Sequence, residues 1–188
     1  QINAFGVDFH NTNNKSLKKN NINVINIDIE KQRLPIKSNT IDIIIANQVL
    51  EHVKELFWIN HELFRVLKKD GHLFIGVPNG LSLHNRILGI FGFHPRSSKI
   101  ISAHVRIFSK RDTILFYKSI LGKKVEVIKF YGSQFYPFNK FFSRILSYLV
   151  PSLSTSIFFV LKKRDSYNDE FLKWLEKAAL ETNFYKGK

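Results

Sequence analysis

The sequence contains no cysteine and no methionine. The absence of cysteine excludes disulfides, zinc–thiolate centres and cysteine nucleophiles, and it fits a reducing compartment. Acidic residues are scarce: 15 Asp and Glu face 29 Lys and Arg, for a net charge of +14. Glycine (9) and proline (5) are few, which leaves room for long regular elements. No run of about 18 apolar residues occurs, so no membrane-spanning helix is predicted. There is no repeat and no low-complexity segment.

What is present is an apolar chain of 188 residues, 44% hydrophobic, with 18 Phe. That is enough for one domain with a sizeable core, and disorder is excluded as the default. The positive charge has two readings. One is an anionic partner. The plainer one is a compositional bias toward Lys, Asn and Ile, because the basic residues are scattered rather than blocked. We adopt the plainer reading, so nucleic acid is not an expected partner.

The stretch from Thr40 to Val53 carries the strongest signal. Ile41 to Ala46 is β-branched and apolar, and reads as a strand buried on both faces. From Asn47 the period changes and a helix is expected to begin. In an open α/β sheet, ligands bind where strands end and helices start. Upstream, Ile2 to Val7 reads as a strand ending at Asp8, and Ile22 to Ile29 as a second ending near Asp28.

Downstream, Leu56, Ile59, Leu63, Val66 and Leu67 recur at helical spacing, with Lys68 and Lys69 in the expected last turn and Asp70-Gly71 as the stop. His72 to Val77 is a fourth strand. Residues 81–108 are irregular and basic, and read as a lid or acceptor segment. Ser109 to Asp112 is a capping box, with Gly122 as the stop of its helix. Val125 to Tyr131 and Ser156 to Leu161 are further strands. Between them, residues 138–149 form an amphipathic helix whose apolar stripe is expected to face the core, with membrane-surface contact as the alternative. The tail from 165 to 188 holds one more helix. The whole predicts an α/β, Rossmann-like, mostly parallel sheet with helices on both faces and one antiparallel edge strand.

Several motifs in order resemble class I S-adenosylmethionine (SAM)-dependent methyltransferases. They are Asp8 after a strand, Asp28 about twenty residues on, Leu34-Pro35, Asp42 before an apolar strand, Asn47-Gln48-Val49-Leu50-Glu51-His52-Val53, and Leu63 to Leu73. The likeness is closest to the small-molecule branch with the ubiquinone-type and polysaccharide-cluster enzymes. It implies one methyltransferase-like domain over 1–164. It also implies SAM as cofactor, a small or glycan-linked acceptor methylated on oxygen, and a cytoplasmic or membrane-peripheral location. By this resemblance Asp8 meets the SAM ribose, Asp28 the adenine amino group and Ile29 the adenine ring, with Asn47 and Gln48 beside the methionine portion. Glu51 and His52 stand at the site mouth, His52 and His104 are candidate bases, and Arg86, His94 and Arg96 are candidate acceptor contacts. No metal is expected.

One departure matters. The family's glycine-rich loop lies on a strand before Asp8, and nothing in this sequence matches it. An upstream strand is therefore expected to be missing. The rival readings are a non-catalytic binding module of this fold and a nucleic-acid methyltransferase. The second lacks the Asn/Asp-Pro-Pro-aromatic signature, because Asn79 is followed by Gly80.

Overall fold

The computed structural model describes residues 3–10, 14–95, 99–180 and 182–187. Its elements are β1 (Ala4–Asp8), α1 (Asn14–Lys19), β2 (Ile22–Asn26), β3 (Ile41–Asn47), α2 (Leu56–Val66), β4 (Leu67–Pro78), α3 (Leu83–Ile90), α4 (Lys110–Leu121), β5 (Val125–Ser133), α5 (Lys140–Leu149), β6 (Ser156–Lys163) and α6 (Glu170–Lys177).

The strands form two sheets. β1 and β2 pair in parallel, Asp8 opposite Asn26. The larger sheet has the order β3-β4-β6-β5. β3 and β4 are parallel, and β6 is antiparallel to both its neighbours. The antiparallel strand is therefore interior, not at the edge as expected. It enters the sheet between β4 and β5 because the α5 segment carries the chain back over β5.

Helices α2, α4 and α6 cover one face. Leu73, Ile75 and Val77 of β4 and Ile157, Phe159 and Leu161 of β6 meet them there, all essentially without solvent contact. The opposite face is open at β3 and β4. Ile43 is 58% exposed, Ile45 73% and Phe74 39%. The expectation of a doubly buried 41–46 strand is thus not met. Ile44 and Ala46 pack inward, while alternation sends Ile43 and Ile45 to the uncovered side.

Helix α2 begins at Leu56, nine residues later than the change of period implies. Gln48 has a positive φ of 55°, which breaks the run, and residues 48–55 form turns held by buried Leu50 and Val53. The helix also ends early, at Val66. Lys68 and Lys69 belong to β4, where Lys68 Nζ donates to Asp42 Oδ1 at 2.8 Å. The end is fixed by Lys163, whose buried ammonium donates to Phe64 O (2.8 Å), Leu67 O (2.6 Å) and Asn39 Oδ1 (2.9 Å). These acceptors include carbonyls that a helix end leaves without a partner.

Nearly every α2 side chain is buried, polar ones included. Arg65 and Glu62 form a two-bond fork, with Nε to Oε1 at 2.6 Å and Nη2 to Oε2 at 2.7 Å. Glu62 Oε2 also accepts from Leu34 N at 2.7 Å. Arg65 donates further to Leu34 O (3.0 Å) and Ile36 O (2.8 Å). The pair pins the 28–39 loop to the helix. Later in the chain, Ser109 Oγ accepts from Asp112 N at 3.2 Å and Gly122 closes α4 at φ +56°, as the capping pattern predicts. The stripe of α5, expected to face the core, instead faces solvent. Phe141 is 69% exposed and Tyr148 86%, because the side of Ser143, Leu146 and Ser147 faces inward.

Two stability predictions follow from these buried charges. Glu62→Gln leaves the Arg65 guanidinium buried without its carboxylate. We expect a loss of about 3–5 kcal/mol, read as a lower urea midpoint at unchanged slope; a midpoint within error of wild type refutes the clamp. Burial pushes the Lys163 ammonium down to about 8, with Glu170 opposing and Lys124 assisting. The unfolded chain still binds that proton up to about pH 10.4. Stability from this residue therefore rises with pH between about 8 and 10.4, where only the unfolded state is protonated. In Lys163→Met the urea midpoint is expected to rise less over that window, and an identical pH profile would overturn the assignment.

Candidate functional site

The carboxyl ends of β1, β2 and β3 carry the residues the sequence singled out. Asp8 closes β1 and is half-buried. Its Oδ1 accepts from His10 N at 3.0 Å. Asp28 lies two residues past β2, half-buried, with Oδ1 accepting from Glu30 N at 3.0 Å and Oδ2 3.3 Å from Lys31 Nζ. A cavity of about 320 Å³ is lined by Phe9, Asn26, Ile27, Asp28, Lys31 and Gln32. Ile29 packs toward the core.

Asn47 ends β3 beside Gly76 of β4. A Cβ at Gly76 would come within 2.2 Å of Asn47 Oδ1, so the bare glycine is what lets the Asn47 side chain lie against β4. Gln48 is exposed, and its N–H donates to Gly76 O at 2.8 Å. The turn that follows is held from outside. Glu30 Oε1 accepts from Lys54 N and from Glu55 N, which lead into α2.

Glu51, His52 and His104 come together. Glu51 is 1% exposed, and neither carboxylate oxygen has a hydrogen-bond partner. His52 Nδ1 lies 3.3 Å from Ala103 O. A carbonyl only accepts, so this nitrogen is the protonated one and Nε2 keeps the lone pair. Nε2 is 3.9 Å from Glu51 Oε1. The rings of His52 and His104 meet edge-on at 4.6 Å, and His104 Nδ1 is buried without a partner. The connection is made by backbone: Val105 N and Arg106 N donate to Glu51 O at 2.9 and 3.3 Å.

The remaining acceptor candidates do not join this group. Arg86 is exposed on α3, its Nε donating to Leu81 O at 2.9 Å. His94 is exposed beyond that helix. Arg96 lies outside the described residues. Sequence reasoning passed over Glu30 and the role of Asn79. Asn79 is 1% exposed, and its Nδ2 donates to Ser152 O (2.9 Å) and Ser154 O (2.8 Å), tying the end of β4 to the turn before β6. It borders a second cavity, of about 410 Å³, between α3 and α5. Only the polar break after an apolar strand marked it in the sequence.

Residues 2–75 match a family described as a methyltransferase domain. The match spans β1 to the middle of β4, and so includes Asp8, Asp28, Asn47, Glu51 and His52; His104 lies beyond it. Solved SAM-dependent methyltransferases share the fold. One from Thermotoga maritima is 15% identical, with 86% of this chain and 73% of that chain covered at a TM-score of 0.60. One from Archaeoglobus fulgidus is 17% identical over 86% and 76%, at 0.55. One from Mesorhizobium loti is 13% identical over 86% and 80%, at 0.56. No curated protein sequence matches the chain.

The residues present suit one part of such a cofactor. A half-buried carboxylate at a strand end can take two hydroxyl donors at once, and the cavity at Asp28 and Phe9 admits a flat ring.

Proposed function

We propose that this protein is a SAM-dependent methyltransferase acting on the oxygen of a small or glycan-linked acceptor. The observation that carries the reading is the alignment of Asp8, Asp28 and Asn47 at the same ends of β1, β2 and β3, within the matched domain. Asp8 accepts from ribose hydroxyls, Asp28 meets the adenine amino group, and Ile27 and Phe9 border the ring, whereas Ile29, the residue expected there, packs toward the core. Bound SAM supplies an electrophilic methyl group on a sulfonium. The protein then needs mainly to hold an acceptor oxygen in line with it, since proximity and alignment contribute most to such a displacement. Glu51, His52 and His104 form the acceptor-side wall, with 81–108 as the segment that closes over it.

We propose further that a strand and its following helix, preceding Gln1, complete the domain. Two separate sheets, and an open face carrying Ile43, Ile45 and Phe74, support this, because apolar sheet faces are normally covered. Calorimetric titration of these 188 residues with SAM is expected to show weak binding. An upstream-extended protein should bind at least tenfold more tightly. In that protein Asp8→Ala should weaken binding by roughly tenfold to a hundredfold, the worth of a charge-assisted hydrogen bond. Tight binding by the 188 residues alone removes the missing element; no binding by the extended protein removes the function.

A second reading concerns location. On α5, Phe141, Phe142, Ile145, Tyr148 and Leu149 are exposed, with Lys140 and Arg144 beside them. An exposed apolar stripe flanked by cations suits an anionic bilayer surface. The protein is expected to co-sediment with vesicles containing phosphatidylglycerol, less so with pure phosphatidylcholine, and Phe141→Ser with Tyr148→Ser should abolish it. Equal sedimentation of wild type and variant would discard the contact.

A further inference from the structure

Glu51 sets a problem that the described residues do not solve. Its carboxylate is buried, and neither oxygen receives a hydrogen bond. An ionised carboxylate taken out of water without a partner costs several kcal/mol. The chain carries a net charge of +14, yet among the described residues no Lys or Arg forms an ion pair with Glu51; its single ion-pair neighbour is His52 at 3.9 Å.

Two imidazoles face the same point. One ring nitrogen of His52, one of His104 and one oxygen of Glu51 all lie within 4.8 Å of one another. His52 Nε2 carries the lone pair, because Nδ1 is committed to Ala103 O. That arrangement, one ring nitrogen held by a backbone carbonyl and the other free, is how proteins orient histidine ligands to metals. His104 Nδ1 is buried and unpartnered, unlike the Nδ1 of His52. Both histidines are fixed to the Glu51 turn through the bonds from Val105 and Arg106 to Glu51 O.

We propose that Glu51, His52 and His104 bind a divalent transition-metal ion. One carboxylate and two imidazoles suit Mn, Fe or Zn. At about 2.1 Å per ligand, ligand atoms at tetrahedral angles on one ion lie about 3.4 Å apart. The 3.9 Å between His52 Nε2 and Glu51 Oε1 is about 0.5 Å wider than that, and a group that lies within 4.8 Å has at most about 1.4 Å to close. Rotation of the half-exposed His52 side chain can supply part of this and rotation of the His104 ring the rest. Three protein ligands leave coordination positions open for water or for an oxygen of the acceptor. The acceptor's part in this rests on the methyltransferase reading; the ion site itself does not.

The test is titration of the protein with Mn²⁺, followed by loss of the free-ion signal in electron paramagnetic resonance, without SAM or acceptor. One saturable site is expected. Glu51→Gln and His104→Gln should each weaken it at least tenfold, with thermal midpoints recorded to exclude unfolding. Should Glu51→Gln not fold, His52→Gln serves in its place, since that side chain is the most exposed of the three. Absence of saturable binding overturns the proposal, as does binding that the variants leave unchanged. Because SAM is absent, neither outcome depends on whether the protein transfers methyl groups.

Discussion

The Glu62–Arg65 fork is the contact on which the arrangement of the site depends. Its hydrogen bonds run from α2 to Leu34 and Ile36, in the loop that leaves β2. That loop carries Asp28 at one end and Glu30 just beyond, and Glu30 holds the N–H groups of Lys54 and Glu55, which lead into α2. The helix thus grips the loop at Leu34, and the loop grips the helix start through Glu30. The small sheet and the large sheet share no ladder, so this exchange ties the loop that carries Asp28 to α2. A fully satisfied buried pair can serve specificity even where its net stabilisation is small.

How much of this could be read in the sequence divides by physical cause. The strands were legible because alternation and β-branched runs are local signals, and the Ser109 cap and Gly122 stop were legible because caps are local chemistry. The start of α2 was not. The change of period after Ala46 is real, but a left-handed Gln48 and the anchoring of Leu50 and Val53 spend it on turns. Nor was its end: Lys68 and Lys69 look like a basic last turn, whereas a lysine almost a hundred residues away, Lys163, takes the carbonyls. The α5 stripe has strong helical periodicity, but periodicity reports amphipathicity and not which side meets water. Of the site, Asp8, Asp28 and Asn47 fell at strand ends, as their positions implied. The convergence of His104 on Glu51 rests on 52 intervening residues and backbone bonds from Val105 and Arg106, which no spacing rule carries.

The open face of the large sheet and the solvent-facing α5 stripe are different kinds of exposure. Ile43, Ile45 and Phe74 lie on a sheet surface with few charges near them in the chain, the pattern of a core face awaiting a layer. The α5 residues alternate with Lys140 and Arg144, the pattern of a surface that meets both lipid and water. Apolar exposure therefore supports the proposed covering layer in one case and the proposed bilayer contact in the other. The decisive difference is the charge beside the patch, not its area.

A protein with nearly twice as many cationic as anionic side chains has cations to spare, and the buried charges show where they were used. Glu62 has Arg65. Glu170 has Lys124 at 2.5 Å. Lys163, without a carboxylate in contact, has two carbonyls and an amide oxygen, and its lowered pKa records the cost of that substitution. Each of these charges is matched hydrogen bond for hydrogen bond. Glu51 is as buried as any of them, lies in the turn between β3 and α2, and has none. Were its role structural, a cation such as Arg106, two residues past His104, would suffice. Arg106 turns instead to Lys54 O and the Phe184 ring. The carboxylate is left facing two imidazoles, both of them good metal ligands when neutral. The void in the hydrogen-bond pattern is thus shaped for a cation from outside the chain, at the end of the strand on which the sequence first focused attention.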